Sequence, residues 1–383
     1  MDPPLSDRGE LKDDSMDVMW IGLRGFPGVM GGVETHAEQI CVRLAELGCS
    51  VEVIGRAGYL PTQNVDAPGV RMIQLWAPKS KNLEAFMHTL LGVLYAGIRR
   101  PDVLHIQAIG PAIMTPLARL LGLRVVVTNH GPDYHRQKWG RLAKWVIKRG
   151  ESWGMRFANA RIVISETIQA HVRDAYGLDS VLIPNGVTLP DLPAEADALT
   201  EFGLAAGRYV LLVSRLVPEK RHDDLIRAFA KAGLPDWKLA IVGCADHPDQ
   251  YSARIAALAE ATPGVVMAGF QTGEVLKQLF AHAGVFVLPS SHEGLPIALL
   301  EALSFGLPVL ASDIPANLEI DLPAEHYFPL GNIDGLSSRL MEFAQRERGL
   351  DEVEATRRWV SERFSWDSAS RATFAVYQGV LRR

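Results

Sequence analysis

"VFVLPSSHEGLPIALLEALSFGLPVLAS", residues 285–312, decides how the rest of the chain reads. Val285 to Leu288 are consecutive apolar residues, as a strand covered on both faces requires. "SSHEG" reads as a turn, and Pro296, with its φ already fixed, suits the first turn of a helix. A helix around 296–305 follows, with Leu299, Leu300 and Leu303 among its apolar residues, and "LPVLAS" starts a second strand. Strand, loop, helix and strand in this order form a parallel βαβ unit.

The same rhythm fills the chain. "DVMWIGLR", "SVEVIG", "VRMIQLW", "DVLHIQ", "LRVVVTNH", "ARIVIS" and "SVLIPNG" read as strands, mostly with amphipathic helices between them. It pauses near residues 188–200, where "TLPDLPAEADAL" reads as a proline- and acid-rich linker. It restarts with "RYVLLVSRL", "WKLAIVGC", "GVVMAGF", "GVFVLPS" and "LPVLASD", with helices expected near 221–232, 250–261, 273–282 and 296–305. The expectation is an α/β protein of two Rossmann-like domains facing a cleft. A polar tail (1–16) precedes a first domain (17–190) and a second (191–365), and a last helix (366–383) returns to the first.

With 383 residues, 48% of them hydrophobic, each half can bury a core of its own. Cys41, Cys49 and Cys244 follow neither a disulfide nor a metal-site spacing, which fits a reducing, cytoplasmic setting. No apolar run nears the roughly 20 residues that span a bilayer, and "MDPPLSDRGELKDDSMDVMW" lacks the features of a signal or transit segment. Met16 is a candidate start beside Met1. The net charge of −5 divides into +3 for residues 1–190 and −8 for the remainder, which speaks against a nucleic-acid binder.

In open α/β sheets ligands bind beyond the carboxyl ends of the strands, so every loop there is a candidate. After the first strand, Gly28, Gly31 and Gly32 let the backbone turn tightly beside a helix N-terminus, which suits a diphosphate or a sugar oxygen. A glycine turn that merely joins strand to helix would look the same, and the spacing is not that of a dinucleotide fingerprint. His130 ends another strand and could bond a substrate hydroxyl or move a proton. Asp133, His135 and Lys138 follow it as candidate acceptor contacts. Arg215 and Lys220 flank a strand-end loop and could neutralise a leaving diphosphate, although a solvated basic turn paired with Glu219 would have the same residues. In the opening stretch the backbone of Gly294, Leu295, Pro296 and Ile297 could cradle phosphate. Glu293 and Glu301, one at the mouth of the cleft and one a turn deeper, could grip two parts of an elongated ligand. Leu299, Leu300 and Leu303 around Glu301 make an idle surface carboxylate the weaker reading.

"HEGLPIALLEA" resembles the E-x7-E motif of glycosyltransferase family four, the retaining GT-B enzymes, and "VSRLVPEKR" resembles that family's donor loop. "GGVETHAEQI" resembles its glycine loop and "TNHG" its histidine, so the likeness covers residues 17–380. "RGFPGVMGGVE" with "HGPDYHRQKWG" is similar to the branch holding bacterial polysaccharide rhamnosyltransferases. The resemblance implies a nucleotide-diphosphate sugar, UDP-, GDP- or dTDP-linked, on the second domain and a saccharide or polyprenyl-diphosphate-linked acceptor on the first. It implies that Arg215 and Lys220 hold the diphosphate, Glu293 the sugar hydroxyls and Glu301 the ribose. Gly31 and Gly32 approach the diphosphate, His130 lies near the anomeric carbon, and Phe270 and Gln271 lie by the base. Transfer with retention, without metal or cofactor, is expected. An epimerase or hydrolase on the same plan, and a non-catalytic sugar-nucleotide-binding subunit, are the rivals.

Between Arg136 and Arg161 there are eight basic residues and one acid, Glu151. Leu142, Trp145, Val146, Trp153 and Phe157 fall near one helical face and are expected in the core. The basic face is a candidate for peripheral contact with an anionic membrane.

Overall fold

Each apolar run becomes a strand with helices over both sides. The structure is a computed structural model and describes residues 15–59, 67–78, 83–132, 140–246, 248–346 and 349–382. The first sheet contains β1 (Met16–Ile21), β2 (Cys49–Arg56), β3 (Val70–Leu75), β4 (Val103–Gln107), β5 (Val125–Asn129), β6 (Ala160–Val163) and β7 (Val181–Leu182). The second contains β8 (Tyr209–Val213), β9 (Lys238–Val242), β10 (Val265–Gly269), β11 (Val285–Leu288), β12 (Val309–Ser312) and β13 (Tyr327–Phe328). Their orders are 3-2-1-4-5-6-7 and 10-9-8-11-12-13, with every pairing parallel.

Strand order reverses between β1 and β4 in one sheet and between β8 and β11 in the other. Crevices open at such switch points, beyond the carboxyl ends of the strands. The two crevices contribute to one cleft of about 1620 Å³.

Side chains alternate across β1, so Met19 and Ile21 join one core and Val18 and Trp20 another. The second core is closed by the last helix, Trp366–Leu381, lying on helix Gly32–Glu46. Trp366 and Tyr377 are buried, and the Tyr377 hydroxyl lies 2.6 Å from Nδ1 of His105 in β4. A Cβ on Gly186 would overlap the backbone of Ser365 and Trp366, so the two passages between domains lie against each other, and Val187 bridges Ser365.

Two boundaries and one helix orientation differ from expectation. Strand β1 begins at Met16. The expected linker runs into a short helix, Asp197–Glu201, with Leu199 buried and the Ala198 amide donating to Gln278 Oε1 at 2.9 Å. Helix Arg141–Phe157 has turned its expected core stripe outward: Leu142 is 76% exposed and Trp145 56%. Its inner side is built on Gly150 and Gly154, because a Cβ on Gly150 would overlap the Ile109 carbonyl and one on Gly154 would lie 2.6 Å from Ala112 Cβ. Close backbone approach there leaves no room for indoles.

Candidate active site

Four strand-end loops build the cleft. Beyond β5, Asn129 accepts from the Gly131 amide (2.9 Å) and donates to Glu151 (3.1 Å), which fixes the turn carrying His130. The Nε2 of His130 lies 2.7 Å from Gln107 Oε1 at the end of β4, and its ring meets that of His36 edge-on at 4.8 Å. Burial, with the neighbouring His36 and His105, holds the imidazole well below its ordinary pKa. It is therefore neutral at physiological pH and suited to hydrogen bonding rather than to carrying charge.

In the second domain, Arg215 follows β8, and Lys220 ends the short turn Pro218–Lys220. The Ser291 amide donates to the Glu219 carbonyl at 2.8 Å, tying this turn to the loop after β11. Lys220 Nζ and Glu293 Oε1 form an ion pair at 2.5 Å. The basic loop thus takes its carboxylate from the neighbouring loop, and Lys220 and Glu293, assigned separate roles by resemblance, here share one pair. Arg215 pairs with Asp246 at 2.9 Å.

Pro296 is the N-cap of helix Ile297–Ser304. It has no N–H and offers no donor, so it departs from the phosphate-cradling role expected of it. The Ile297 and Ala298 amides, unpaired within any first helical turn, lie beside Gly294 and Leu295 on the cleft wall. A Cβ on Gly294 would overlap the His130 carbonyl, so glycine there lets the domains touch. The amide of Asn185 donates to the Leu295 carbonyl at 3.0 Å, and its Oδ1 lies 2.9 Å from His36 Nδ1.

Glu301 lies deeper on the same wall. Its carboxyl has no hydrogen-bond partner among the described residues, and burial raises its pKa to about 7. A half-buried carboxylate without a partner is poised to accept ligand hydroxyls. Phe270, 42% exposed, and Gln271 both line the cleft, and Gln271 Nε2 donates to the Ala268 carbonyl at 2.7 Å.

Gly32 lines the cleft with 3.8 Å between a notional Cβ and Ile297 Cδ1. At Gly31, φ is +151°, and Glu34 and Arg24 occupy the space a side chain would need. Gly31 thus makes way for an ion pair that the sequence reading missed. Arg24 Nε meets Glu34 Oε1 at 3.0 Å and Nη2 meets Oε2 at 3.1 Å, while Nη1 reaches across the cleft to Asp246 at 2.7 Å. Burial pushes the Glu34 carboxyl up, but Arg24 outweighs this and holds it below the ordinary value. Asp246 is likewise pushed up by burial and carried below its ordinary value by Arg215 and Arg24. The chain Glu34–Arg24–Asp246–Arg215 is a polar link across the cleft. Its signal was available: Arg24 and Asp246 both follow strand ends. Asp133, His135 and Lys138 lie outside the described residues. Among the described residues no cluster of His, Cys, Asp and Glu is arranged to hold a metal ion.

Residues 204–356 match the family model "Glycosyl transferases group 1", and residues 30–189 match "Glycosyltransferase Family 4". A GDP-mannose-dependent alpha-(1-6)-phosphatidylinositol monomannoside mannosyltransferase of Mycolicibacterium smegmatis is 32% identical over 52% of this chain and 55% of its own length. The aligned stretch is thus little more than half of that relative. A 2-deoxystreptamine N-acetyl-D-glucosaminyltransferase of Streptomyces fradiae is 27% identical over 73% of this chain and 74% of its own. Among solved structures, sucrose-phosphate synthase of Thermosynechococcus elongatus superposes with a TM-score of 0.77 at 21% identity, covering 96% of this chain and 99% of that one. Matched in both halves and sharing this two-sheet architecture, the chain belongs to the family-four glycosyltransferases and has their GT-B fold.

Proposed function

We propose that the chain is a glycosyltransferase that moves a hexosyl or deoxyhexosyl group from a nucleotide-diphosphate sugar to a saccharide or lipid-linked acceptor. The anomeric configuration is retained and no metal is needed. One observation carries the reading: Arg215, Lys220 and the first-turn amides at Ile297 line one wall of a single cleft, with the unpartnered Glu301 deeper on it. Two fixed cations and helix amides supply the positive field a departing diphosphate requires, which supports metal-independent chemistry. Glu301 takes the ribose hydroxyls, Glu293 the sugar hydroxyls, and Phe270 lies by the base.

In the step proposed, the bond from the anomeric carbon to the diphosphate oxygen breaks and its electron pair leaves with the diphosphate. The acceptor oxygen bonds to the same face of that carbon and passes its proton to the departing oxygen. His130 holds a sugar hydroxyl as neutral imidazole. Contact between Gly294 and the His130 turn keeps water from the reacting centre. The mycobacterial relative's GDP-mannose and phosphatidylinositol monomannoside favour a guanosine donor and a glycolipid or surface-polysaccharide setting, at the cytoplasmic face of the plasma membrane.

A thermal-shift panel of UDP-, GDP-, ADP- and dTDP-sugars identifies the donor, since a ligand bound only by the folded chain raises its melting temperature. Labelled donor should then yield sugar joined to an acceptor, and Lys220→Ala should abolish it. Release of free or epimerised sugar alone would refute the transferase reading.

A further inference from the structure

Helix Arg141–Phe157 turns its only acid inward: Glu151 accepts from Asn129 Nδ2 at 3.1 Å and from the Tyr176 hydroxyl at 2.9 Å. Its outer side carries Leu142, Trp145, Trp153 and Phe157, all exposed. Arg141, Lys148, Arg149 and Arg156 are exposed among them, with Arg149 lying 5.5 Å from the Trp145 ring centre. Gly150 and Gly154 fix this orientation, so the indoles have no inward alternative. Large apolar groups, two of them indoles, interleaved with cations on one helix side match the headgroup boundary of an anionic bilayer.

The feature extends beyond one helix. Helices Glu84–Arg99 and Thr115–Leu120 share its core beneath the first sheet, through Val93, Ala96, Ala118 and Met155. Outside that core, Ile98 is 81% exposed and Leu120 83%. At the other end of this helix layer, Leu83, Phe86, Leu142 and Trp145 are exposed and also line the cleft. The apolar surface therefore runs to the lip of the site.

We propose that this layer of helices docks on an anionic lipid bilayer, with the lip formed by Phe86, Leu142 and Trp145 at the lipid surface. The hydrocarbon part of a lipid-linked acceptor stays in the bilayer while its sugar enters the cleft. Only this last role rests on the transferase reading; the docking does not.

The test floats the full chain with vesicles of phosphatidylcholine alone and of equimolar phosphatidylcholine and phosphatidylglycerol. Binding should favour the anionic vesicles and weaken with salt. It should fall about tenfold or more in Arg149→Glu/Arg156→Glu and in Leu142→Ser/Trp145→Ser. Brominated acyl chains should quench the wild-type fluorescence, and the conservative Trp145→Phe should lose part of that quenching. Melting temperatures identify any variant that fails to fold, and Trp145→Phe keeps the test decisive in that case. No binding to anionic vesicles, or binding and quenching that no variant changes, overturns the proposal. Sugar transfer to a soluble acceptor without vesicle binding removes the docking face alone; vesicle binding without transfer removes only the acceptor's role.

Discussion

Replacing Glu301 by glutamine should make the ligand-free protein more stable in alkaline solution while weakening donor binding. Burial raises this carboxyl from an ordinary 4.5 to about 7. Between those values the folded chain holds a proton that the unfolded chain has released. Stability therefore falls as pH rises through the window, and the loss is complete above it. The gap corresponds to about 3 kcal/mol at most, or up to roughly 10 °C in the melting temperature of a domain this size. Glutamine is neutral throughout, so wild type and Glu301→Gln should melt alike near pH 5 and diverge by pH 8.5, with the variant higher. Donor binding should move oppositely. A hydroxyl bonded to an ionised carboxylate contributes about 1.5–3 kcal/mol, so the variant should bind donor about ten- to a hundredfold more weakly at pH 8. Scanning calorimetry across pH, with donor titrations at both extremes, reads both effects. Melting curves that stay parallel from pH 5 to 8.5 would refute the idea of a strained, waiting carboxylate.

Two further outcomes follow from the cleft. Asp246 is the carboxylate a diphosphate must displace from Arg215, so Asp246→Asn should bind nucleoside diphosphate severalfold more tightly by calorimetry, while the empty protein loses roughly 1–3 kcal/mol of stability; weaker binding would mean that Asp246 organises the cations instead. Gly294→Ala sets a Cβ into the His130 carbonyl and must part the domains, and since misplacement by about 1 Å can lower rates a hundredfold, turnover should fall on that scale with melting little changed. Steady-state rates within threefold of wild type would count against it.

The two sheets were legible because strands covered on both faces appear as unbroken apolar runs such as Val285 to Leu288. Residues at strand ends, among them His130, Arg215 and Glu293, were legible as candidates for the same topological reason. The partnerships were not. Arg24 and Asp246 are 222 positions apart, and only the facing of two domains makes them a pair. Helix Arg141–Phe157 illustrates a different limit: periodicity reveals a stripe but not which side faces inward. Two glycines that admit neighbouring backbone outweigh the apolar pull of Trp145 and Leu142.

The return of helix Trp366–Leu381 bears on how the chain is made. The first half needs Trp366 and Tyr377 to complete its interior, yet these residues are synthesised only after the whole second sheet. The later half contains its own sheet and can mature while the earlier half waits, reversing the usual order of vectorial synthesis. Loss of helix Trp366–Leu381 should therefore damage the amino-terminal half, opposite to where the cut is made, and expose its apolar interior to aggregation and proteolysis.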